Sequence, residues 1–244
     1  MKQTQVFINS KNRTSGSSSS DFKVHLNRRI QNIHSISVRS IEIPFSWYCI
    51  NTSNNRISWS SSGTDYSATL SPGNYTADEL AIELQNKMNA QLAGFIVTYE
   101  DKTLKYTFSH NSTSFVINYA ESTCNLLIGL IIVAPDSAGL SWTSQNVIQI
   151  TGSNLLFLES NVLSSGRALS HSDEEERPIF LKVPVNQNAG SIVTRESKDD
   201  DVLIFNSQFG ISEIDFRLVD DEYNLVDLNG LDWSLELLVS SEQD

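Results

Sequence analysis

Residues 211–239 read ISEIDFRLVDDEYNLVDLNGLDWSLELLV, and residues 1–50 read MKQTQVFINSKNRTSGSSSSDFKVHLNRRIQNIHSISVRSIEIPFSWYCI. The late stretch has the pattern of a strand, an acidic turn, an Asn-Gly turn and a second strand. The early stretch has a short strand, a Ser-rich segment and an alternating strand that ends at Ile-Pro. Neither stretch contains a catalytic signature. We therefore predict a β-sandwich that closes by pairing its early strands with its late ones.

The chain between these stretches is rich in short strand patterns. They fall at residues 56–59, 66–70, 95–99, 105–108, 114–119, 147–150, 155–158, 179–185 and 202–205. Many short strands with one long helix are typical of a mainly β fold. We expect a single jelly-roll β-sandwich formed by residues 21–70 and 131–244. Residues 71–130 are expected to form an inserted lobe, a helix plus a small antiparallel sheet.

The helix of the expected lobe has clear start and packing signals. Thr76 is followed three residues later by Glu79, which is the spacing of a capping box. Four apolar side chains then recur at every fourth position and predict one buried stripe: Leu80, Leu84, Met88 and Leu92. We expect this stripe to pack on a sheet made by residues 95–99, 105–108 and 114–119.

The strand at residues 33–43 changes its alternation part-way. Ile36 and Val38 have one parity, whereas Ile41 and Ile43 have the other. A one-residue slip of this kind predicts a β-bulge near Arg39 or burial on both faces.

Residues 1–20 are predicted to form a flexible basic N-terminal arm, because the SGSSSS stretch at 15–20 has too little apolar surface to join a core. Residues 1–60 carry eight Lys or Arg against two acidic residues, a net charge of +6, whereas the remainder carries −18. This asymmetry indicates either a locally solvated segment or an arm that docks on an acidic neighbour. The candidate assembly residues are Phe7, Ile8, Lys11, Arg13, Arg28 and Arg29.

Bulk properties restrict the class of protein. The chain has 244 residues, 39% of them hydrophobic, which is enough to bury a core. Its formal net charge of −12 argues against nucleic-acid binding by bulk electrostatics. Cys49 and Cys124 lack metal-ligand spacing and are expected to be buried free thiols of a reducing compartment. We expect neither a signal peptide nor a membrane span, because the apolar runs are too short.

The sequence shows no motif for a reaction or a cofactor. The histidines His25, His34, His110 and His171 are scattered, and there is no nucleophile elbow or phosphate-binding loop. The acidic runs at 173–176, 199–201 and 220–222 lack the calcium-loop pattern and are expected to be solvated. We predict no catalytic, cofactor-binding or metal site. A carboxylate pair for glycoside hydrolysis stays open as an alternative, because such pairs have no local spacing rule.

Several segments together resemble a known family. Residues 7–13 (FINSKNR), Asp21-Phe22 and residues 33–44 resemble the N-terminal signature of penton or minor capsid proteins. These occur in virophages, polinton-like viruses and related large DNA viruses with double-jelly-roll major capsid proteins. Residues 71–76 (SPGNYT), 127–130 (LIGL) and 216–235 are similar to segments that recur in the same structural proteins.

This resemblance implies a single jelly roll that forms a homopentamer at the fivefold vertices of an icosahedral virion. The implied partners are other copies of the chain and the major capsid protein, with neither a specific nucleic acid nor an enzymatic activity. A host receptor or fibre could be a further partner. The alternatives are a viral spike, fibre base or receptor-binding module, and a carbohydrate-active β-sandwich.

Overall fold

A computed structural model describes residues 1–131, 138–164, 168–169, 176–196, 202–205 and 209–242. The described residues contain one α-helix, α1 (Ala77–Asn89), and a 3-10 turn at Ser10–Asn12. The strands are β1 (Lys2–Asn9), β2 (Ser15–Ser18), β3 (Asp21–Ile30), β4 (Ile33–Pro44), β5 (Arg56–Ser61), β6 (Thr64–Thr69), β7 (Phe95–Glu100), β8 (Lys105–His110), β9 (Phe115–Ile117), β10 (Ser141–Thr143), β11 (Leu155–Glu159), β12 (Ala168–Leu169), β13 (Glu176–Arg177), β14 (Ile179–Pro184), β15 (Ile192–Glu196), β16 (Val202–Ile204), β17 (Ile211–Val219) and β18 (Ser234–Ser241).

The chain divides into two compact units. Met1–Trp47 and Ser153–Asp244 form the first, which we call the jelly-roll unit, and Tyr48–Gly152 form the second, which we call the lobe. The lobe is wider than the expected 71–130. The reason is pairing: β5 and β6 form a hairpin that joins β9, and β10 joins β8, so these flanking strands belong with the helix.

Within the described residues, the jelly-roll unit contains two five-stranded antiparallel sheets and the two-stranded pair β12–β13, and the fold is mainly β as predicted. Sheet A has the order β1-β18-β4-β15, with β16 also pairing with β4. Sheet B has the order β14-β11-β17-β3-β2. Early strands pair with late ones in both sheets, because β1 lies along β18 and β3 lies along β17. This confirms the closure expected from the two chain ends.

Three aromatic side chains form the centre of the jelly-roll core. The rings of Phe22, Phe216 and Trp233 lie within 5.6 to 5.7 Å of one another, centroid to centroid. Each is nearly inaccessible to solvent. The indole Nε1 of Trp233 donates to the Ser19 carbonyl at 2.6 Å. This hydrogen bond satisfies a donor that would otherwise be buried without a partner. One cluster therefore joins β3, β17 and the start of β18.

The parity change in β4 is a β-bulge, as predicted. Glu236 of β18 stands opposite Ser40, and the next residue, Leu237, stands opposite Val38. Arg39 is the extra residue, and its side chain is exposed. The bulge lets Ile36 and Val38 on one side, and Ile41 on the other, all reach the core.

The expectation of a flexible arm at residues 1–20 is wrong. All eight residues of β1 pair with β18, and Val6 and Ile8 are 8% and 3% exposed. The Ser-rich stretch forms β2, which pairs with β3. Gly16 makes this possible: its φ is +120°, and a Cβ there would collide with the Asp21 carbonyl oxygen and Phe22 Cα. The low apolar content of residues 15–20 predicted a flexible tether. It reflects instead the need for small residues where the backbones of β2 and β3 approach closely.

The lobe contains the predicted helix, with its cap and its buried stripe. The Thr76 hydroxyl accepts from the Glu79 amide at 3.2 Å, and the Glu79 carboxylate accepts from the Thr76 amide at 2.9 Å. Leu80, Leu84 and Met88 are fully buried. They share one hydrophobic core with side chains of the β7–β8 hairpin: Phe95, Val97, Tyr106 and Phe108. Leu80, Leu84 and Met88 therefore pack with the β7–β8 hairpin, as expected, whereas Leu92 lies beyond the end of α1 and is partly buried.

Two strand assignments in the lobe were wrong. Residues 114–119 were expected to continue the β7–β8 meander, but β9 pairs with β5, and the third strand beside β8 is β10. Residues 147–150 form no strand. Their amides form isolated hydrogen bonds to different segments: Ile148 donates to the Leu104 carbonyl and Gln149 to the Leu126 carbonyl. An apolar run predicts burial, but its pairing partner is a tertiary choice.

Candidate assembly surface

A groove of about 520 Å³ opens along one side of the jelly-roll unit. One wall is β1, from Thr4 to Asn9, and the other is the second half of β3, from Val24 to Ile30. The two strands belong to different sheets, so the groove marks the side on which the sandwich is open. Asn12 and Thr14 complete the lining.

The β1 wall is the edge of sheet A among the described strands. Its side chains alternate: Val6 and Ile8 are buried, whereas Gln5, Phe7 and Asn9 are exposed. Each residue pairs with one sheet neighbour, in β18, so from Thr4 to Asn9 the opposite side of the backbone faces the groove. Backbone amides and carbonyls on such an edge can pair with a further strand.

The β3 wall is irregular because it contains a large bulge. Ile211 of β17 stands opposite Ile30, and Glu213 stands opposite His25. Four β3 residues, 26–29, therefore face a single β17 residue. A bulge re-aims side chains, and here it leaves Arg28 exposed at a position whose parity would otherwise point it into the core.

The six candidate assembly residues do not act as one arm. Phe7, Ile8 and Arg28 line the groove. Phe7 is 74% exposed, whereas Ile8 belongs to the core. Arg29 lies beside Gly210, at the start of β17, and Lys11 lies exposed in the 3-10 turn.

Arg13 fastens the turn after β1 to the start of β18. Its Nη1 donates to the Ser10 carbonyl at 2.9 Å and lies 3.3 Å from Asp232 Oδ1. The Ser10 hydroxyl donates to the same Asp232 oxygen at 2.7 Å and accepts from the Trp233 amide at 3.0 Å. Arg13 therefore has an intramolecular structural role, which the sequence did not indicate.

The charges beside the groove are partly neutralised. Glu213 of β17 lies 3.2 Å from Lys23 Nζ and 3.1 Å from His25 Nε2. Of the residues that line the groove, none is Asp or Glu, while Arg28 and His25 are basic. The groove is therefore apolar at its base and basic at its rim.

Sequence reasoning missed part of this surface. Thr4, Gln5, Val24 and Leu26 also line the groove. The signal in residues 2–9, KQTQVFIN, is the run Val6-Phe7-Ile8, whose β-branched and aromatic side chains favour a strand. The Ser-rich composition of residues 15–20 outweighed this signal in the prediction of a flexible arm.

One buried and one half-buried carboxylate elsewhere in the jelly-roll unit have structural partners. Glu159 is 2% exposed and lies 3.0 Å from Arg217 Nη1 and 3.6 Å from Arg177 Nη1. Burial alone would raise the pKa of Asp215, but hydrogen bonds from Asn161 and Val162 outweigh it and lower the pKa. These groups tie β11 and β17 to the 160–164 turn.

No metal-binding cluster of His, Cys, Asp or Glu occurs in the part of the chain that the structure describes. At the acidic run 220–222, Asp220 Oδ1 accepts the amides of Glu222 and Asn224 and closes a turn. The side chains of the runs 173–176 and 199–201 lie outside the described residues. Cys49 and Cys124 are both buried and free, as expected, and burial raises the pKa of Cys124 to about 12. Within the described residues, no helix is both long and apolar enough to cross a membrane.

Comparison with known proteins identifies the fold. No protein-family model matches the chain, and no curated protein matches it by sequence. Among solved structures, the chain is similar to the mavirus penton protein with a TM-score of 0.54. The match covers 99% of this chain and 100% of that one, at 9% sequence identity. The chain therefore has a penton-like fold over its whole length.

Proposed function

We propose that the chain is a penton-like structural capsid protein that forms the fivefold vertices of an icosahedral viral shell. The observation that carries the proposal is the end-to-end structural likeness to a virophage penton protein, which includes both the jelly-roll unit and the lobe. The proposed role is structural and involves no reaction. Its proposed site is the virion, and its proposed partners are further copies of the chain and the major capsid protein.

The charge distribution supports a closed ring. In a cyclic oligomer, one surface of each copy meets a different surface of the next. Residues 1–60 carry +6 and the remainder −18. Part of this charge pairs within the chain, as in Arg13–Asp232 and Lys23–Glu213, and the rest is available for such a contact. Complementary charge mainly orients association, and we expect an oligomer that weakens as salt concentration rises.

Native mass spectrometry of the purified chain over a range of concentrations tests the oligomer. For a subunit of 27.2 kDa, a pentamer has a mass of about 136 kDa. A stable trimer at high concentration would contradict the vertex assignment and favour a spike or fibre base.

Incorporation into particles tests the vertex role itself. Phe7 is 74% exposed, and Phe7→Ser is expected to reduce incorporation while leaving the thermal unfolding temperature unchanged. Ile96→Ser is the matched control, because Ile96 is 53% exposed in the lobe. Equal incorporation of both variants would argue against Phe7 as an assembly residue.

A further inference from the structure

Among the residues that the structure describes, the edge formed by β1 lacks the devices that usually protect a sheet edge. Its eight residues pair with β18 in one continuous register, without a bulge. The strand contains no proline, and Lys2, at its first position, is its only charged residue. Natural proteins shorten, twist, charge or cover such edges, because an open backbone recruits another strand. An unprotected edge of this length is a docking feature.

The groove beside β1 has the shape and surface for an extended chain. The bulge in β3 forms part of the opposite wall, and the base is formed by buried apolar side chains from both walls: Val6, Ile8, Val24 and Ile30. In an added strand, alternate side chains would point towards this base and into solvent. The groove should therefore prefer a strand with apolar residues at every second position.

The charge at the rim of the groove favours acidic residues at the remaining positions of an added strand. Arg28 is exposed at the rim, and His25 lies near it, with Glu213 facing His25 from outside the lining. Because no carboxylate lines the groove, an acidic segment meets attraction there, whereas a basic segment meets repulsion.

We propose that this groove binds an extended segment of another protein, with alternating apolar and acidic residues, which adds to β1 as a further strand of sheet A. The acidic residues in the described strands of this chain already belong to paired strands, which favours a different chain as the donor. In a capsid this donor is a neighbouring shell protein, and only that last assignment rests on the proposed function.

A synthetic peptide tests the binding mode directly. The probe is a dye-labelled eight-residue peptide of alternating valine and glutamate, titrated with the full chain and followed by fluorescence anisotropy. We expect saturable binding that weakens with salt. A valine–lysine peptide and a valine–glutamate peptide N-methylated at alternate amides should not bind, since the first has the wrong charge and the second cannot form the ladder. Binding of the N-methylated peptide, or no binding of the parent at about 1 mM, overturns the proposal.

Variants of the chain locate the site. Arg28→Glu should weaken binding of the glutamate peptide by roughly three- to tenfold. Arg39→Glu is the matched control, because Arg39 is also exposed in the jelly-roll unit but does not line the groove. Equal effects of the two would mean that only net charge matters and would overturn the assignment.

Prolines at adjacent β1 positions test the edge. Thr4→Pro and Gln5→Pro remove amides that point to opposite sides of the strand, so one interrupts the ladder with β18 and the other blocks the open edge. The variant that keeps its thermal stability should lose peptide binding. If that variant binds normally, the peptide does not add to β1. Should it instead abolish self-association of the parent chain, the occupant is a second copy and our choice of donor is wrong. The mass of the oligomer is measured in a separate experiment. The proposed capsid role and the proposed peptide-binding groove can therefore fail independently.

Discussion

The jelly-roll unit and the lobe use opposite strategies of chain pairing. In the jelly-roll unit, β1 pairs with β18, so Lys2 stands opposite Ser241. In the lobe, β7 pairs with the next strand, β8, so Phe95 stands opposite His110, and α1 precedes β7 directly. The first unit is therefore closed by its most distant segments, whereas the second is assembled largely from neighbours.

This difference has consequences for folding. Pairing of distant segments requires the closure of a long loop before any contact offsets the lost entropy, whereas local hairpins and helices form early. We infer that the lobe folds first and that the jelly-roll unit depends on both of its ends. The following changes should separate the two units.

Deletion of residues 1–20 should have the largest effect. It removes β1, β2, the buried Val6 and Ile8, and the Ser10–Asp232 connection. We expect a loss of more than about 5 kcal/mol in the jelly-roll unit, enough to unfold it. Hydrogen exchange measured by mass spectrometry should show residues 153–242 unprotected, with residues 48–131 protected as the internal control. Retained protection of β18 would show that the end strands are dispensable.

Leu84→Asp should have the next largest effect, confined to the lobe. Leu84 is fully buried on the inner face of α1, and the substitution leaves an unpaired charge where a core side chain was. We expect a loss of about 4 kcal/mol in the free energy of unfolding. Ile82→Asp is the matched control on the same helix, because Ile82 is 60% exposed. Denaturant unfolding of both variants measures the difference, and equal stability would show that Leu84 contributes nothing to the stability of the lobe.

Gly16→Ala should destabilise the jelly-roll unit through the backbone alone. Gly16 and Gly190 both have positive φ, +120° and +85°, but an added Cβ meets backbone atoms only at Gly16. We expect about 2 to 3 kcal/mol for Gly16→Ala and about 1 kcal/mol for Gly190→Ala. Thermal unfolding of the pair measures the difference. If both cost the same, the β2–β3 hairpin adjusts freely and contributes little to closure.

Asp215→Asn should have the smallest effect and a defined pH dependence. The folded pKa of Asp215 is lowered, so its carboxylate stabilises the fold above its unfolded pKa of about 3.9 and stops doing so as pH falls through the folded value. We expect a loss of about 1 to 2 kcal/mol near neutral pH, shrinking as pH falls below about 4. Asp221→Asn, at an exposed position, is the control in urea titrations. A difference that persists at low pH would assign the effect to packing.

Local signals were sufficient for the helix of the lobe and for the bulge in β4. The capping box at Thr76 and the stripe through Leu84 involve residues three or four apart, whose positions a helix dictates. The slip in alternation at Arg39 is likewise contained within one strand. Such features follow from backbone geometry and could be predicted without knowledge of the fold.

The state of the N-terminal segment was decided by tertiary structure. Its Ser-rich composition predicted a tether, yet β2 is ordered against β3 because Gly16 allows a close approach of two backbones. The groove exists only because β1 and β3 end in different sheets, which places Phe7 and Arg28 on one surface. Arg13, expected beside them, is held instead by Asp232.

The sequence by itself determined the mainly β class and the helix of the lobe, because period-two and period-four patterns state which side of an element must be buried. Only the tertiary structure decided which strand lies beside which. The placement of β9 next to β5 and the opening beside β1 depend on contacts between residues far apart in the chain, and alternation along one strand carries no information about its neighbour.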